Sequence, residues 1–155
     1  MGCHTWYRKP IVKGKENVQK YLIQEIENQR KERWWNKKCE DEVPMRLQAI
    51  ENLDENMDDD QYSWATVNSS VRFINGEPQI LVHASEFDID EPRIGGYPDT
   101  IIRSADEMFK VMETGLLNWE GKHFNFYWDK DREQYIRNNI LEFFKAHPDG
   151  IIEFG

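Results

Sequence analysis

The sequence predicts an α+β fold. We expect residues 1–155 to form one domain, in which three or four helices pack on a mainly antiparallel sheet that holds both terminal strands. Asn75-Gly76 between two β-rich segments indicates a hairpin, because both central positions of such a turn need positive φ. Several other segments carry apolar residues at helical spacing. Near the two ends, residues 3–9 and 151–154 have the composition of strands.

Length and composition indicate a protein with a core of its own. A chain of 155 residues with 13% aromatic side chains can bury that core without disulfides. Cys3 and Cys39 cannot form the disulfide framework of a small secreted domain. The sequence shows no apolar signal-peptide region and no stretch of 18 apolar residues. We therefore expect a cytoplasmic protein without a membrane partner.

The first third predicts a strand and then a long helix. The strand covers 3–9 and is closed by Pro10, and the helix covers 15–38. Four apolar residues follow the helical period: Val18, Tyr21, Leu22 and Ile26. The apolar face is lost after these residues. The end of the helix is therefore expected to project, or to pack only through Trp34 and Trp35.

A second helix is predicted over 43–57, starting near Pro44. Its apolar face consists of Leu47, Ile50, Leu53 and Met57. The three aspartates at 58–60 are expected to end it, because carboxylates are unfavourable at the negative end of a helix. The acidic segment, residues 40–60, is therefore expected to be partly a loop. Residues 62–67 read as a further strand.

The hairpin comprises strands at 71–74 and 79–83. Pro78 lies between the turn and the second strand. Because it cannot donate a hydrogen bond, it belongs at a strand start or a sheet edge. Residues 90–99 contain two prolines and a Gly-Gly pair, which is typical of a long loop.

The last third returns to helices and strands. Ser104 and Glu107 have the spacing of a capping box at a helix start. The helix that follows has an apolar face of Met108, Val111, Met112 and Leu116. An aromatic strand is predicted over 123–128 and a last helix over 131–145, before the closing strand at 151–154.

Charge is distributed unevenly. Residues 1–39 carry ten Lys and Arg against four Glu, whereas residues 40–155 carry ten against twenty-five acids. The acidic segment alone has nine acids and one Arg. Such a surface attracts basic partners and repels nucleic acid. Five of its acids are the candidate partner-binding residues: Asp54, Glu55, Asp58, Asp59 and Asp60. The alternative is a solvated loop that aids solubility.

Trp34 and Trp35 stand among basic residues, with Arg33 before them. Trp and Arg are favoured anchors of protein interfaces, so these three residues are a second candidate contact with a host protein. The alternatives are homo-oligomerisation through the Trp pair and single-stranded nucleic acid, which the neighbouring acids disfavour. A solvated helix face that pairs with acids at 40–42 would explain the charges without a partner.

No catalytic motif appears: there is no nucleophile elbow, phosphate loop or dinucleotide fingerprint. No cofactor is therefore predicted, and an enzyme is not favoured. A divalent metal is possible at His83, Asp88 and Asp90, although Asp is also common in turns. After loss of the initiator Met, Gly2 and His4 have the spacing that wraps Cu(II) or Ni(II) in nitrogen ligands.

Two stretches carry a resemblance. The opening Met1-Gly-Cys-His-Thr-Trp-Tyr7 and the ending Phe144-Lys-Ala-His-Pro-Asp-Gly-Ile-Ile-Glu-Phe-Gly155 resemble those of small uncharacterised proteins of bacteriophages and prophages. The helix capped by Ser104 is similar too. The resemblance implies a bacterial cytoplasmic setting and a role in phage–host conflict, but no catalytic residues.

These observations lead to one expectation and two rivals. We expect a non-enzymatic, phage-encoded accessory protein that binds a host protein through the acidic surface or the basic helix with Trp34 and Trp35. One rival is a small metal-dependent enzyme with a carboxylate and histidine site. The other is a homo-oligomeric structural protein.

Overall fold

The chain consists of two compact units. Pro10–Val82 form the helical unit, and Met1–Lys9 with His83–Gly155 form the C-terminal unit. The computed structural model describes residues 5–67, 70–84, 87, 93–94, 100–119 and 122–154. That residues 1–155 form one domain stays a prediction.

Strand β1 (Thr5–Lys13) continues through Pro10, where the sequence predicted its end. Its register with the final strand of the chain covers only Thr5 to Arg8. Pro10 lies beyond that register, so its missing N–H removes no hydrogen bond to the final strand. The fixed φ of proline is also compatible with extended backbone.

Helix α1 (Lys15–Arg30) follows Gly14, whose φ is 89°. It buries Val18, Leu22 and Ile26, as predicted, but it ends at Arg30 and not at residue 38. The prediction of one helix over 15–38 was wrong because the chain turns after Arg30. The apolar face had already ended at Ile26, so nothing buried holds a further turn to the core.

Helix α2 (Lys37–Glu51) begins at the cap Asn36, whose side chain accepts the Cys39 N–H at 3.0 Å. Pro44 therefore lies inside the helix and not at its start. The predicted apolar face is confirmed at Ile50 and Leu53, which are buried, although α2 ends at Glu51, before Leu53. Within the helix the buried face also includes Val43, Arg46 and Ala49. Leu47 is on the exposed side.

The three aspartates at 58–60 start a helix; the prediction that they end one was wrong. Helix α3 (Asp59–Thr66) has Asp58 as its N-cap. The Asp58 carboxylate accepts the Gln61 N–H at 2.8 Å, and the Gln61 amide oxygen accepts the Asp58 N–H at 3.3 Å. This reciprocal pair is a capping box, and it stabilises a helix where the sequence predicted a strand over 62–67.

The predicted hairpin is confirmed. Strands β2 (Val71–Ile74) and β3 (Glu77–His83) pair antiparallel on either side of Asn75 and Gly76. Both turn residues have positive φ, 52° and 78°. The core of the helical unit is formed by buried residues of its helices and this hairpin: Val18, Leu22, Ile26, Val43, Ala49, Ile50, Leu53, Ala65, Val71 and Ile80.

The C-terminal unit contains the remaining elements: β4 (Arg93–Ile94), β5 (Thr100–Ile102), α4 (Ala105–Thr114), β6 (Leu116–Trp119), β7 (Lys122–Tyr127), α5 (Glu133–Ala146) and β8 (Ile151–Phe154). The cap predicted at Ser104 is present, since its hydroxyl accepts the Glu107 N–H at 3.1 Å. Gly115, with φ of 66°, ends α4. Leu116 therefore belongs to β6 and not to the predicted helix face.

The fold class is confirmed as α+β, with both terminal strands in a mainly antiparallel sheet. The strand order is β2-β3-β1-β8-β5, and a second sheet has the order β4-β7-β6. The described residues contain five α-helices, because the segment predicted as a strand over 62–67 is helical. Most of the predicted loop over 90–99 lies outside the described residues, apart from β4.

Candidate interaction surfaces

The turn between α1 and α2, residues 31–36, is here called the Trp corner. Its backbone is held by hydrogen bonds from the N–H groups of Lys31, Glu32 and Trp35 to carbonyls three residues earlier. The two indoles are 5.9 Å apart between ring centroids and tilted by 52°. The prediction placed Trp34 and Trp35 on a helix. They lie instead on a hydrogen-bonded turn, where adjacent residues can face different environments.

The two tryptophans are used differently. Trp35 is half-buried against the core of the helical unit, and its Nε1 donates to Glu40 Oε2 at 3.0 Å. Trp34 is 54% exposed. Among the described residues its indole N–H has no hydrogen-bond partner, and its one ring contact is with Trp35. The fold therefore anchors one indole and presents the other.

Glu40 is the centre of a charged network at the corner. Its carboxylate accepts Arg30 Nε at 3.0 Å and Arg30 Nη2 at 2.5 Å, and Arg30 Nη1 donates to Glu27 Oε1 at 2.8 Å. The hydrogen bonds from Arg30 and then from Trp35 hold the pKa of Glu40 below its ordinary value. The same pairing raises the pKa of Arg30. This network fixes α1 to α2 where the chain turns.

Four further cations lie within four residues of Trp34 in the sequence and are exposed: Lys31, Arg33, Lys37 and Lys38. Within the described part of the chain none of the four forms an ion pair. The expectation that these charges pair with the acids at 40–42 therefore holds for Arg30 alone, through Glu40. The exposed indole of Trp34 therefore has unpaired cations near it in the sequence, together with the exposed Glu32.

The acidic segment is exposed at all five candidate positions, but two of them hold the local backbone. Asp58 caps α3, and Asp54 Oδ1 accepts the Asn56 N–H at 2.8 Å. Asp59 and Asp60 lie in the first turn of α3, where negative charge is favoured. Part of this acidity is therefore explained by helix initiation.

Glu55 lies against the hairpin turn. A Cβ atom added to Gly76 would be 3.5 Å from Glu55 Oε2. The hairpin therefore places Glu77, which is also exposed, near the acids that follow α2. Helix α2 spans 15 residues, so about 22 Å of helix separates these acids from the Trp corner.

Arg46 is a buried charge that the sequence reasoning missed. Arg46 is only 6% exposed and donates through Nη1 to Gln29 Oε1 at 3.2 Å, which joins α2 to α1. Burial lowers its pKa, against the effect of Glu25, and burial raises the pKa of Glu25. A signal existed in the sequence: Arg46 is the single cation of the acidic segment and is three residues from the apolar Val43.

The candidate metal ligands are not brought together in the part that the structure describes. His83 is exposed at the end of β3. Asp88 and Asp90 lie outside the described residues, as do Gly2 and His4. Among the residues that are described, no group of three His, Cys, Asp or Glu side chains could hold a metal ion. The metal sites stay predictions.

Comparison with family models, with curated proteins and with solved structures finds no match to this chain. In the described ranges, every helix is too short or too polar to cross a bilayer.

Proposed function

We propose that this chain is a non-enzymatic binding protein whose main contact with its partner is the Trp corner. The observation that carries the proposal is the exposure of Trp34 on a turn that the fold holds by hydrogen bonds. An exposed indole gains little for folding, whereas buried tryptophan in an interface is among the most frequent hot spots. A contact residue on a fixed turn also loses little entropy on binding.

The charges around Trp34 support the proposal. Lys37 and Lys38 occupy the first turn of α2, where the partial positive charge of the helix end disfavours cations. Fold stability therefore does not account for these two lysines. A partner with an apolar pocket bordered by acidic residues would account for both the indole and the cations.

The acidic segment supplies a second candidate contact, to a basic partner surface. Of its five candidate residues, Glu55, Asp59 and Asp60 have no side-chain hydrogen bond among the described residues. The original set of five is thereby reduced, since reversing Asp54 or Asp58 would also disturb the backbone that they hold. Charge reversal of Glu55, Asp59 and Asp60 therefore tests attraction of the partner without removing a backbone contact that the fold needs.

The setting that we propose is a bacterial cytoplasm, in which a phage or prophage encodes the protein and a host protein is the target. The resemblance of the two chain ends to small phage proteins supports this setting. Host takeover and counter-defence are both consistent with a binding protein of this kind.

Quantitative capture from a nuclease-treated bacterial lysate tests the proposal. The bait is the full chain, and the variants are Trp34→Ala and the matched control Met45→Ala, whose side chain is 53% exposed in the same unit. We expect Trp34→Ala to capture at least about tenfold less of the specific partner than wild type does, which is the usual effect at a hot spot. Met45→Ala should capture as much as wild type.

Other variants assign the surface. The triple change Glu55→Lys, Asp59→Lys, Asp60→Lys should abolish capture only if the acidic segment is the contact. Equal capture by wild type and by Trp34→Ala would overturn the Trp corner as the contact. Sedimentation of the isolated wild type as a dimer, lost in Trp34→Ala, would show that the partner is a second copy of the chain.

A further inference from the structure

A cavity of about 390 Å³ opens in the C-terminal unit beside α4 and the two strands that flank it in sequence, β5 and β6. Ile102, Val111 and Leu117 line it and are themselves buried. Leu116, 38% exposed, is also in the lining. The volume falls within the range of about 300–1,000 Å³ that is typical of small-molecule sites. The cavity therefore reaches the core and offers apolar contacts to a ligand.

Two polar groups of the lining are already used by the fold. Glu107 Oε2 accepts the Arg103 N–H at 3.0 Å, so this carboxylate secures the start of α4. The Thr114 hydroxyl donates to the Lys110 carbonyl at 2.9 Å and accepts the Leu116 N–H at 3.3 Å. These bonds complete the end of α4. Neither group needs a ligand to satisfy it.

The other two polar groups differ. Lys110 and His123, both exposed, belong to the cavity lining. In the described ranges neither side chain has a hydrogen bond or an ion pair. Both can donate to a ligand oxygen, and Lys110 carries a positive charge. The cavity thus combines an apolar lining with donors suited to one anionic group.

We propose that this cavity binds a small amphipathic carboxylate, with its aliphatic or aryl body against Ile102, Val111 and Leu117 and its head group on Lys110 and His123. The negative charge of Glu107 on the same lining favours a head with a single charge over a phosphate, which carries about two. The inference is independent of the Trp corner.

Calorimetric titration of the full chain with decanoate, below micelle formation, tests the proposal. Decanol and decyltrimethylammonium carry the same chain with a neutral and a cationic head. Decanoate should bind at one site and more tightly than either. Backbone amide NMR should place its shifts on α4 and β6.

Variants test separately the contact of the ligand's head group with Lys110 and the contact of its apolar body with the cavity lining. Lys110→Met should weaken decanoate about tenfold, the usual effect of losing a charge-assisted hydrogen bond, while Lys110→Arg should retain it. Leu116→Asp should weaken it as well, by placing a carboxylate in the apolar lining. Lys145→Met and Leu141→Asp are the matched controls, since both lie on α5 outside the cavity and Leu141 is 49% exposed.

Three results would overturn the proposal. The first is the absence of saturable decanoate binding. The second is binding of equal strength for the three head groups, which would show apolar burial without anion recognition. The third is binding that Lys110→Met and Leu116→Asp leave unchanged. Shifts on α4 and β6 caused by an apolar peptide and not by decanoate would assign the cavity to a protein segment instead.

Discussion

The Trp corner and the acids at 54–60 lie at opposite ends of α2, and the fold uses them in opposite ways. Among the acids, Asp58 caps a helix and Asp54 closes a turn. At the corner, Trp35 and Arg30 are held by Glu40, but Trp34 has no such bond within the described residues. Exposure alone therefore does not mark a binding residue, because exposed acids such as Asp58 have a structural role. An exposed residue such as Trp34 is a stronger binding candidate when a neighbouring residue, here Trp35, already makes the contacts that hold the turn.

The largest expected difference in the free energy of unfolding is between alanine variants of the two tryptophans. Trp35→Ala removes a half-buried indole and its bond to Glu40, and should lower the free energy of unfolding by about 2 kcal/mol. Trp34→Ala should change it by less than about 0.5 kcal/mol, as for most surface substitutions. Denaturant unfolding measures both. Equal losses would contradict the division of roles at the corner.

The acids at the start of α3 should also differ in how much they contribute to the free energy of unfolding. Asp58→Ala removes the cap of α3 and should cost about 1 kcal/mol. Asp59→Ala, the matched control one residue further on, should cost only about 0.3 kcal/mol, because it loses just a favourable interaction with the helix end. A smaller loss for Asp58→Ala than for Asp59→Ala would show that the capping box does not stabilise α3.

Much of the fold was predictable where a local rule decides it. Asn75-Gly76 fixed the hairpin because few residues adopt positive φ, and Ser104 marked the start of α4. The aspartates at 58–60 were misread because the same residues suit a loop after one helix and the start of the next. Only the reciprocal bonds of Asp58 and Gln61 distinguish these cases. The segment over 62–67 is too short for its period to decide between strand and helix.

The candidate surfaces were predictable as residues but not as an arrangement. The sequence indicated Trp34, Trp35 and Arg33, yet it could not show that one indole would be anchored and the other exposed. Which indole is buried depends on where α1 ends. The spacing of the apolar residues of α1 does not show that it ends at Arg30. Arg46 was missed because a buried cation is recognised by its partners on α1, such as Gln29, and not by its own type.

The two lysines at the start of α2 should show a smaller effect on stability, of opposite sign. The double change Lys37→Gln, Lys38→Gln removes two cations from the positive end of α2 and should raise the free energy of unfolding by about 0.5 kcal/mol. Partner capture should fall in the same variant. A stability gain with full capture would mean that the lysines do not contact the partner.

The smallest effect concerns pH. Because Arg30 and Trp35 hold the pKa of Glu40 below its ordinary value, the contribution of this carboxylate to stability is present above its unfolded pKa and is lost as pH falls through the folded one. The difference in unfolding free energy between wild type and Glu40→Gln should therefore shrink on acidification. A difference that stays constant from neutral to acidic pH would remove Glu40 as the anchor.

Trp34 is proposed to contribute to binding and not to folding. Its most direct test measures two quantities on one variant, Trp34→Ala: the free energy of unfolding and the specific capture of the partner. We expect Trp34→Ala to have an unfolding free energy within about 0.5 kcal/mol of wild type, together with at least about a tenfold loss of capture. Unchanged capture, or a loss of stability that accounts for the loss of capture, would contradict it.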